Sequence, residues 1–136
     1  MLGFFQTTTL RQTVPATAPV IAEHLQSVPL IRQWAWPQQY PMDVLRLCPG
    51  LTFTSYLGPL AIGHRVETAT DSELRMVLWG AVDGFSVWQW GEGWLTQTTT
   101  GITVIPLQLG QRQLLNQLVR FLQTKSAQPN RLESLN

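Results

Sequence analysis

The stretch from Leu107 to Lys125, LQLGQRQLLNQLVRFLQTK, repeats its apolar residues with the period of a helix. At about 100° per residue, Leu107, Leu114, Leu115, Leu118, Val119, Phe121 and Leu122 fall in one arc of roughly 160°. Asn116, Gln117, Arg120, Gln123 and Thr124 fall opposite. Gln111 breaks the pattern, projecting into the apolar arc one turn ahead of Leu114 and Leu115. Almost everything before this helix has the composition of strand. One long amphipathic helix after a run of strands needs a sheet curved enough to hold it, which predicts an α+β fold.

Working back from the helix, Pro106 closes a series of candidate strands: Asp43 to Leu47, Leu51 to Leu57, Leu60 to Thr68, Glu73 to Gly80, Phe85 to Trp90 and Leu95 to Ile105. The breaks between them carry turn chemistry, as in Pro49-Gly50, Gly58-Pro59, Thr70-Asp71-Ser72, Asp83-Gly84 and Gly91-Glu92-Gly93. Breaks this short predict hairpins and an antiparallel meander. Upstream, Trp36-Pro37-Gln38-Gln39-Tyr40-Pro41 is expected to be an extended loop, because its prolines exclude regular structure. Helices are expected from Thr17 to about Ser27, with Thr17 as N-cap and Pro19 in the first turn, and from Pro29 to Trp34. Phe4 to Val14, rich in Thr and aromatic residues, reads as the first strand.

A length of 136 residues corresponds to one domain, expected over 1–126, with a flexible tail over 127–136. Lys+Arg 9 against Asp+Glu 8 leaves a net charge of +1, so nothing electrostatic favours nucleic acid or an anionic membrane. The single cysteine, Cys48, excludes an internal disulfide and is expected to be a small buried apolar residue. The N-terminus lacks the charged and apolar regions of a signal peptide, and the longest apolar run, around Met76 to Val82, is too short to span a bilayer. The expectation is a soluble cytoplasmic protein without stable membrane insertion.

Strand parity predicts which side chains face inward. Ile62, His64 and Val66 share one face, as do Leu74, Met76 and Leu78. The set Thr98, Thr100, Ile102 and Val104 is half polar. Between Phe85, Val87, Gln89 and Ser86, Trp88, Trp90, parity does not choose. Polar groups at His64, Gln89, Thr98, Thr100 and Gln111 cost on the order of 1–3 kcal/mol each if buried without partners. A ligand-filled or water-accessible cavity removes that cost.

The order of strand, two short helices, six-strand meander and long C-terminal helix resembles the helix-grip fold of the SRPBCC superfamily. Val14-Pro15-Ala16-Thr17-Ala18-Pro19-Val20 looks like the strand-to-helix junction of those proteins. Leu25 to Trp34, ending in Trp34-Ala35-Trp36-Pro37, is similar to their L-x-x-x-x-x-L-x-x-W stretch. Asp83-Gly84-Phe85 and Trp88-Gln89-Trp90 resemble a late hairpin of small bacterial members. The superfamily includes START domains, the birch-pollen-allergen family and polyketide cyclase/dehydrase-like proteins. The resemblance implies a seven-stranded curved antiparallel sheet gripping the last helix, with an apolar pocket between them. Members of the group bind lipids, sterols, polyketides and hormones, and only some are enzymes, so the resemblance implies a pocket and leaves its occupant open. A lipid, polyketide or isoprenoid-like ligand is expected here, and no cofactor.

Enzyme signatures are missing at the level of spacing. There is no HxxxH, CxxC or HxE, so no metal site is expected. Gly84-Phe85-Ser86 lacks the second glycine of a nucleophile elbow, and Gly91-x-Gly93 lacks the third glycine of a dinucleotide loop. His64 is the candidate for proton transfer, against the alternative of a core histidine bonded to backbone or to a neighbouring Thr. The expected function is to bind an apolar or aromatic small molecule between Leu115, Leu118 and Leu122 of the last helix and a concave face bearing His64, Met76, Leu78 and Thr100. His64, Gln111 and Gln89 would orient it, and Trp34, Trp36 and Tyr40 would border the mouth. The alternatives are a cyclase or dehydratase using the same pocket, and a solid-core interaction protein. In the latter, Trp79, Trp88, Trp90 and Trp94 would form an exposed patch serving a homodimer.

Overall fold

A computed structural model describes residues 3–135, with side chains through Lys125. The first strand, β1 (Phe4–Thr13), leads into two helices, α1 (Ala18–Gln26) and α2 (Val28–Trp34). Six more strands follow: β2 (Gln38–Gln39), β3 (Thr52–Leu57), β4 (Leu60–Ala69), β5 (Glu73–Gly80), β6 (Val82–Gly91) and β7 (Trp94–Thr103). The last element is α3 (Leu107–Leu135). The expected tail, 127–136, lies outside the described side chains.

All strand pairs are antiparallel, in the order β1-β7-β6-β5-β4-β3-β2. This is the seven-stranded helix-grip sheet, with α3 across its inner face. The helices α1 and α2 connect the two edge strands, β1 and β2. The buried stripe of α3 consists of Leu107, Gln111, Leu115, Leu118 and Leu122, as its periodicity requires. It shares one core with Ile21, Leu25, Val28 and Ile31 of α1 and α2 and with Val66, Leu74, Trp90 and Leu95 of the sheet.

The meander differs from the expected one at its start. Asp43 to Leu47 is not a strand. It makes a lone bridge, Ser27 to Arg46, and exchanges backbone hydrogen bonds with the α1–α2 junction, Val28 N to Leu45 O and Leu47 N to Gln26 O. The missing strand is β2, inside the proline-rich segment expected to be a loop. It is two residues long, Gln38 and Gln39 pairing with Leu57 and Tyr56. An edge strand this short needs a partner on one side only, so Pro37 and Pro41 can flank it.

Asp83-Gly84 is also not a turn. The chain reverses at Ala81, and Gly84 sits within β6 opposite Gly101 of β7. A Cβ on Gly84 would run into the Thr100 backbone, so the two strands approach closely here because neither residue of the pair carries a side chain. Between β3 and β4, Leu57 pairs with Leu60 across Gly58-Pro59, and Gly58 takes φ +59, which any other residue adopts at a cost. Cys48, expected inside, is exposed, because it opens the turn through Pro49-Gly50, its carbonyl accepting from Leu51 N at 3.0 Å.

Candidate functional site

Between the sheet and α3 lies a partly open cavity of about 200 Å³. Its sheet wall consists of Ile62 and His64 of β4, Met76 and Leu78 of β5, Val82, Ser86 and Trp88 of β6, and Gln97 and Thr99 of β7. Leu107, Gly110, Gln111, Leu114 and Gln117 of α3 form the opposite wall, and Pro37, Gln38, Tyr40, Leu57 and Ile105 also contribute. None of these residues is Asp, Glu, Lys or Arg.

Register places the polar residues at two poles. His64 pairs with Leu78, while Met76 pairs with Ser86 and Ser86 with Thr99. The apolar side chains of β5 therefore separate His64 from the cluster of Ser86, Thr99 and Gln97. At the first pole, Gln38 Nε2 donates to Ser55 Oγ at 2.8 Å, and Ser55 Oγ lies 2.7 Å from His64 Nε2. The imidazole is 3% exposed and stacks on Phe53 with centroids 4.5 Å apart and planes at 4°. Desolvation lowers its pKa to about 4, so the ring is neutral at physiological pH. Tyr40 stands 5.9 Å from it, centroid to centroid, and burial pushes its hydroxyl up to about 12. Ser55 and His64 do not make a hydrolytic dyad. Ser55 is 0% exposed, and His64 Nδ1 has no carboxylate to orient it.

At the second pole, Gln111 spends its amide on the protein. Its Nε2 donates to Gln97 O at 2.8 Å and Gln97 Oε1 at 2.5 Å, and its Oε1 accepts from Thr8 Oγ1 at 3.0 Å. Gln97 Nε2 in turn donates to Thr99 Oγ1 at 2.7 Å. The residue that breaks the apolar stripe of α3 thus ties the helix to β1 and β7. Three residues of the cavity wall each retain a buried polar atom without a partner: His64 Nδ1, Ser86 Oγ and Gln117 Oε1.

Of the candidate site residues, Tyr40, His64, Met76, Leu78 and Gln111 lie together in the wall. Other expected residues lie elsewhere. Gln89 points outward and donates to Glu73 Oε1 at 3.0 Å, because the β6 face that turns inward is Ser86, Trp88 and Trp90. Thr100 and Thr98 also face outward, bonded to Thr7 and Thr9. Pairing with β6 sets Gln97 and Thr99 inside instead. Trp36 is 68% exposed, and only its backbone carbonyl is engaged, by Gln117 Nε2. Trp34 is buried edge-on against Trp88 and donates to His24 O, so it plugs the core and does not border the cavity. Leu115 and Leu118 are fully buried in the core and are not in the cavity wall.

The tryptophans that an interaction protein would expose divide in the same way. Trp88 and Trp90 are inside, and Trp94 lies beneath Arg11, whose guanidinium carbon is 4.5 Å from the ring. Ser55, Ser86, Gln97 and Thr99 were not among the expected site residues. The pairing register would have found the last two once the inward face of β6 was known.

Comparison with known proteins bears on the fold. No protein-family model matches the chain, and no curated protein does. Solved structures match over most of its length. Protein CV1439 from Chromobacterium violaceum superposes with a TM-score of 0.72 at 15% identity, covering 85% of this chain and 96% of that one. Mll3558 from Rhizobium loti superposes at 0.70 and 17% identity, covering 91% and 99%. DynU16, a protein of the dynemicin biosynthetic locus, superposes at 0.64 and 16% identity, covering 88% of this chain and 48% of that one. At these identities the likeness establishes a shared fold. Among the described residues, no helix is long and apolar enough to cross a membrane.

Proposed function

We propose that this chain is a binding module of the SRPBCC type that holds a small apolar or aromatic molecule between the sheet and α3. The observation that carries this reading is the cavity of about 200 Å³, walled by Ile62, Met76, Leu78, Trp88, Leu107 and Leu114. A packed interior has few voids larger than a water molecule. The side chains that line it lack packing partners on the cavity side, and an occupant would supply them.

Size limits the occupant. An apolar cavity of about 150 Å³ accepts benzene, whereas drug-sized ligands occupy roughly 300–1,000 Å³. A molecule of one or two rings, or a short isoprenoid or polyketide fragment, fits better than a sterol or a full acyl chain. Apolar burial supplies affinity at about 25 cal/mol per Å² before ordering costs. The place of one fold neighbour in a biosynthetic locus agrees with a fold used around small organic molecules.

Trp88 in the wall gives the test a reporter. Titrating the protein with a panel of single-ring, two-ring and short isoprenoid compounds should change tryptophan emission saturably for a subset of ring-sized members. The reading fails if no compound in the panel saturates the signal or shifts the melting temperature.

A further inference from the structure

The first pole of the cavity has a direction built into its hydrogen bonds. Gln38 Nε2 can only donate, so Ser55 Oγ accepts from it at 2.8 Å. Ser55 is fully buried, and the other hydrogen-bond partner of its hydroxyl is His64 Nε2 at 2.7 Å. The hydroxyl therefore donates to that nitrogen. A neutral imidazole that accepts at Nε2 carries its proton at Nδ1. His64 Nδ1 has no partner, although a buried N–H is nearly always paired. Phe53, stacked on one face, holds the ring plane.

We propose that the cavity selects, among small aromatic or apolar molecules, those bearing a carbonyl oxygen that accepts the Nδ1–H of His64. This rests on the cavity being a binding site, as argued above. The relay Gln38, Ser55, His64 fixes the tautomer, so the pole presents a donor. The rest of the wall nearby, Ile62, Leu78 and Tyr40, meets the hydrocarbon part. Charged ligands are disfavoured, because among the described residues no Lys or Arg lines the wall. The nitrogen is covered by its neighbours, so binding requires an adjacent side chain to turn aside when the oxygen enters. Ser55 and Gln38 are positioning residues here, and His64 is the one that contacts the ligand.

Acetophenone and α-methylstyrene form a matched pair, alike in shape and differing by a carbonyl oxygen against a methylene. Both would be titrated into the full chain and into His64→Phe, which keeps a ring to stack on Phe53. The wild type is expected to bind the ketone about tenfold tighter, the worth of one buried hydrogen bond. His64→Phe is expected to bind both alike, near the affinity of the wild type for the hydrocarbon. Imidazole ¹⁵N shifts in the wild type should report a proton on Nδ1 and should move with the ketone but not with the hydrocarbon. Equal binding of the two probes by the wild type overturns the selectivity and leaves the cavity reading standing. A ketone preference that survives in His64→Phe, or a proton found on Nε2, overturns it as well. Binding of neither probe overturns the cavity reading and this inference together.

Discussion

Ser55 Oγ and His64 Nε2 meet at 2.7 Å beside the cavity, where burial keeps the imidazole neutral on the inward face of β4. Its consequence for stability has a definite sign. The folded pKa of about 4 lies below the ordinary 6.5, because burial disfavours the imidazolium. The unfolded chain therefore takes up the proton first as pH falls. The contribution is fully present above about pH 6.5 and is lost progressively toward about pH 4. A shift of this size amounts to on the order of 3 kcal/mol. Urea denaturation at several pH values should show that loss in the wild type and a shallower one in His64→Phe. Some slope should remain, because burial also lowers the pKa of His24. Parallel pH curves for the two proteins would contradict the assignment.

Gln111 and Gln97 act as one unit, so their substitutions should not add. Replacing Gln111 by Leu leaves Thr8 Oγ1 without the acceptor it has at 3.0 Å and takes from Gln97 Oε1 its bond at 2.5 Å, leaving it the Thr99 hydroxyl at 3.1 Å. The expected cost is about 1–3 kcal/mol for the stranded groups. Replacing Gln97 by Leu takes one acceptor from Gln111 Nε2, which keeps the backbone carbonyls of residues 97 and 8, and leaves Thr99 Oγ1 without the amide it bonds at 2.7 Å. The double variant Q97L/Q111L removes both amides and should lose at least 0.5 kcal/mol less than the sum, roughly the floor for contacting pairs. Chemical denaturation of the four proteins measures this directly. Additive losses would mean that the two amides are independent.

On the outer face, Trp79 lies across Gly63, its cross-strand partner. A side chain at position 63 would occupy the space of the indole. Trp94 stands over Gly91 in the same manner, also as a cross-strand partner. An aromatic ring covering a strand glycine shields its backbone from water. This accounts for a tryptophan that is 42% exposed without invoking a partner surface. Gly63→Ala should displace the indole and destabilise the protein by about 1 kcal/mol, a loss within the usual range for point substitutions. Its emission should shift to the red relative to the wild type. An unchanged spectrum with unchanged stability would remove this explanation and return Trp79 to the candidates for a contact surface.

Clean alternation made part of this structure legible in the sequence. Ile62, His64 and Val66 against Arg65 and Glu67 admit one inward face, and so do Leu74, Met76 and Leu78 against Glu73 and Arg75. Both sets are buried, and so is the apolar stripe of α3. The β6 strand was ambiguous because each parity offers two large apolar or aromatic residues and one polar residue. Its neighbour, β7, was read with the wrong face inward. Ile102 and Val104 near the end of β7 pulled the reading toward the Thr98 and Thr100 face, whereas Gly101 and Thr103 are buried at the close approach to β6. The Asp83-Gly84 pair has the chemistry of a turn, yet the glycine is there for that close approach. The Gln38–Gln39 edge strand has no local signal at all, because its pairing with Tyr56 and Leu57 is a tertiary fact. Of the site, His64 and Gln111 stood out as polar residues in apolar patterns. Ser55 and Gln97 did not, since both lie in strands with many hydroxyl and amide neighbours.

Leu114 offers a way to close the cavity from the helix side. It is half-buried and borders both the main cavity and a smaller one of about 10 Å³ beside Trp34 and Trp88. Leu114→Phe adds ring atoms where about 200 Å³ is available, so the larger side chain need not force its neighbours off their rotamers. Filling space of this kind commonly raises stability by about 0.5–2 kcal/mol. The variant should therefore melt higher than the wild type while losing affinity for single-ring aromatic compounds. Binding and stability then move in opposite directions, as expected where affinity depends on space that the fold leaves open. A variant that melts lower and still binds would show that the space near Leu114 is not where small molecules go. Calorimetric titration beside a thermal melt separates the two outcomes, because the first reads occupancy and the second reads packing.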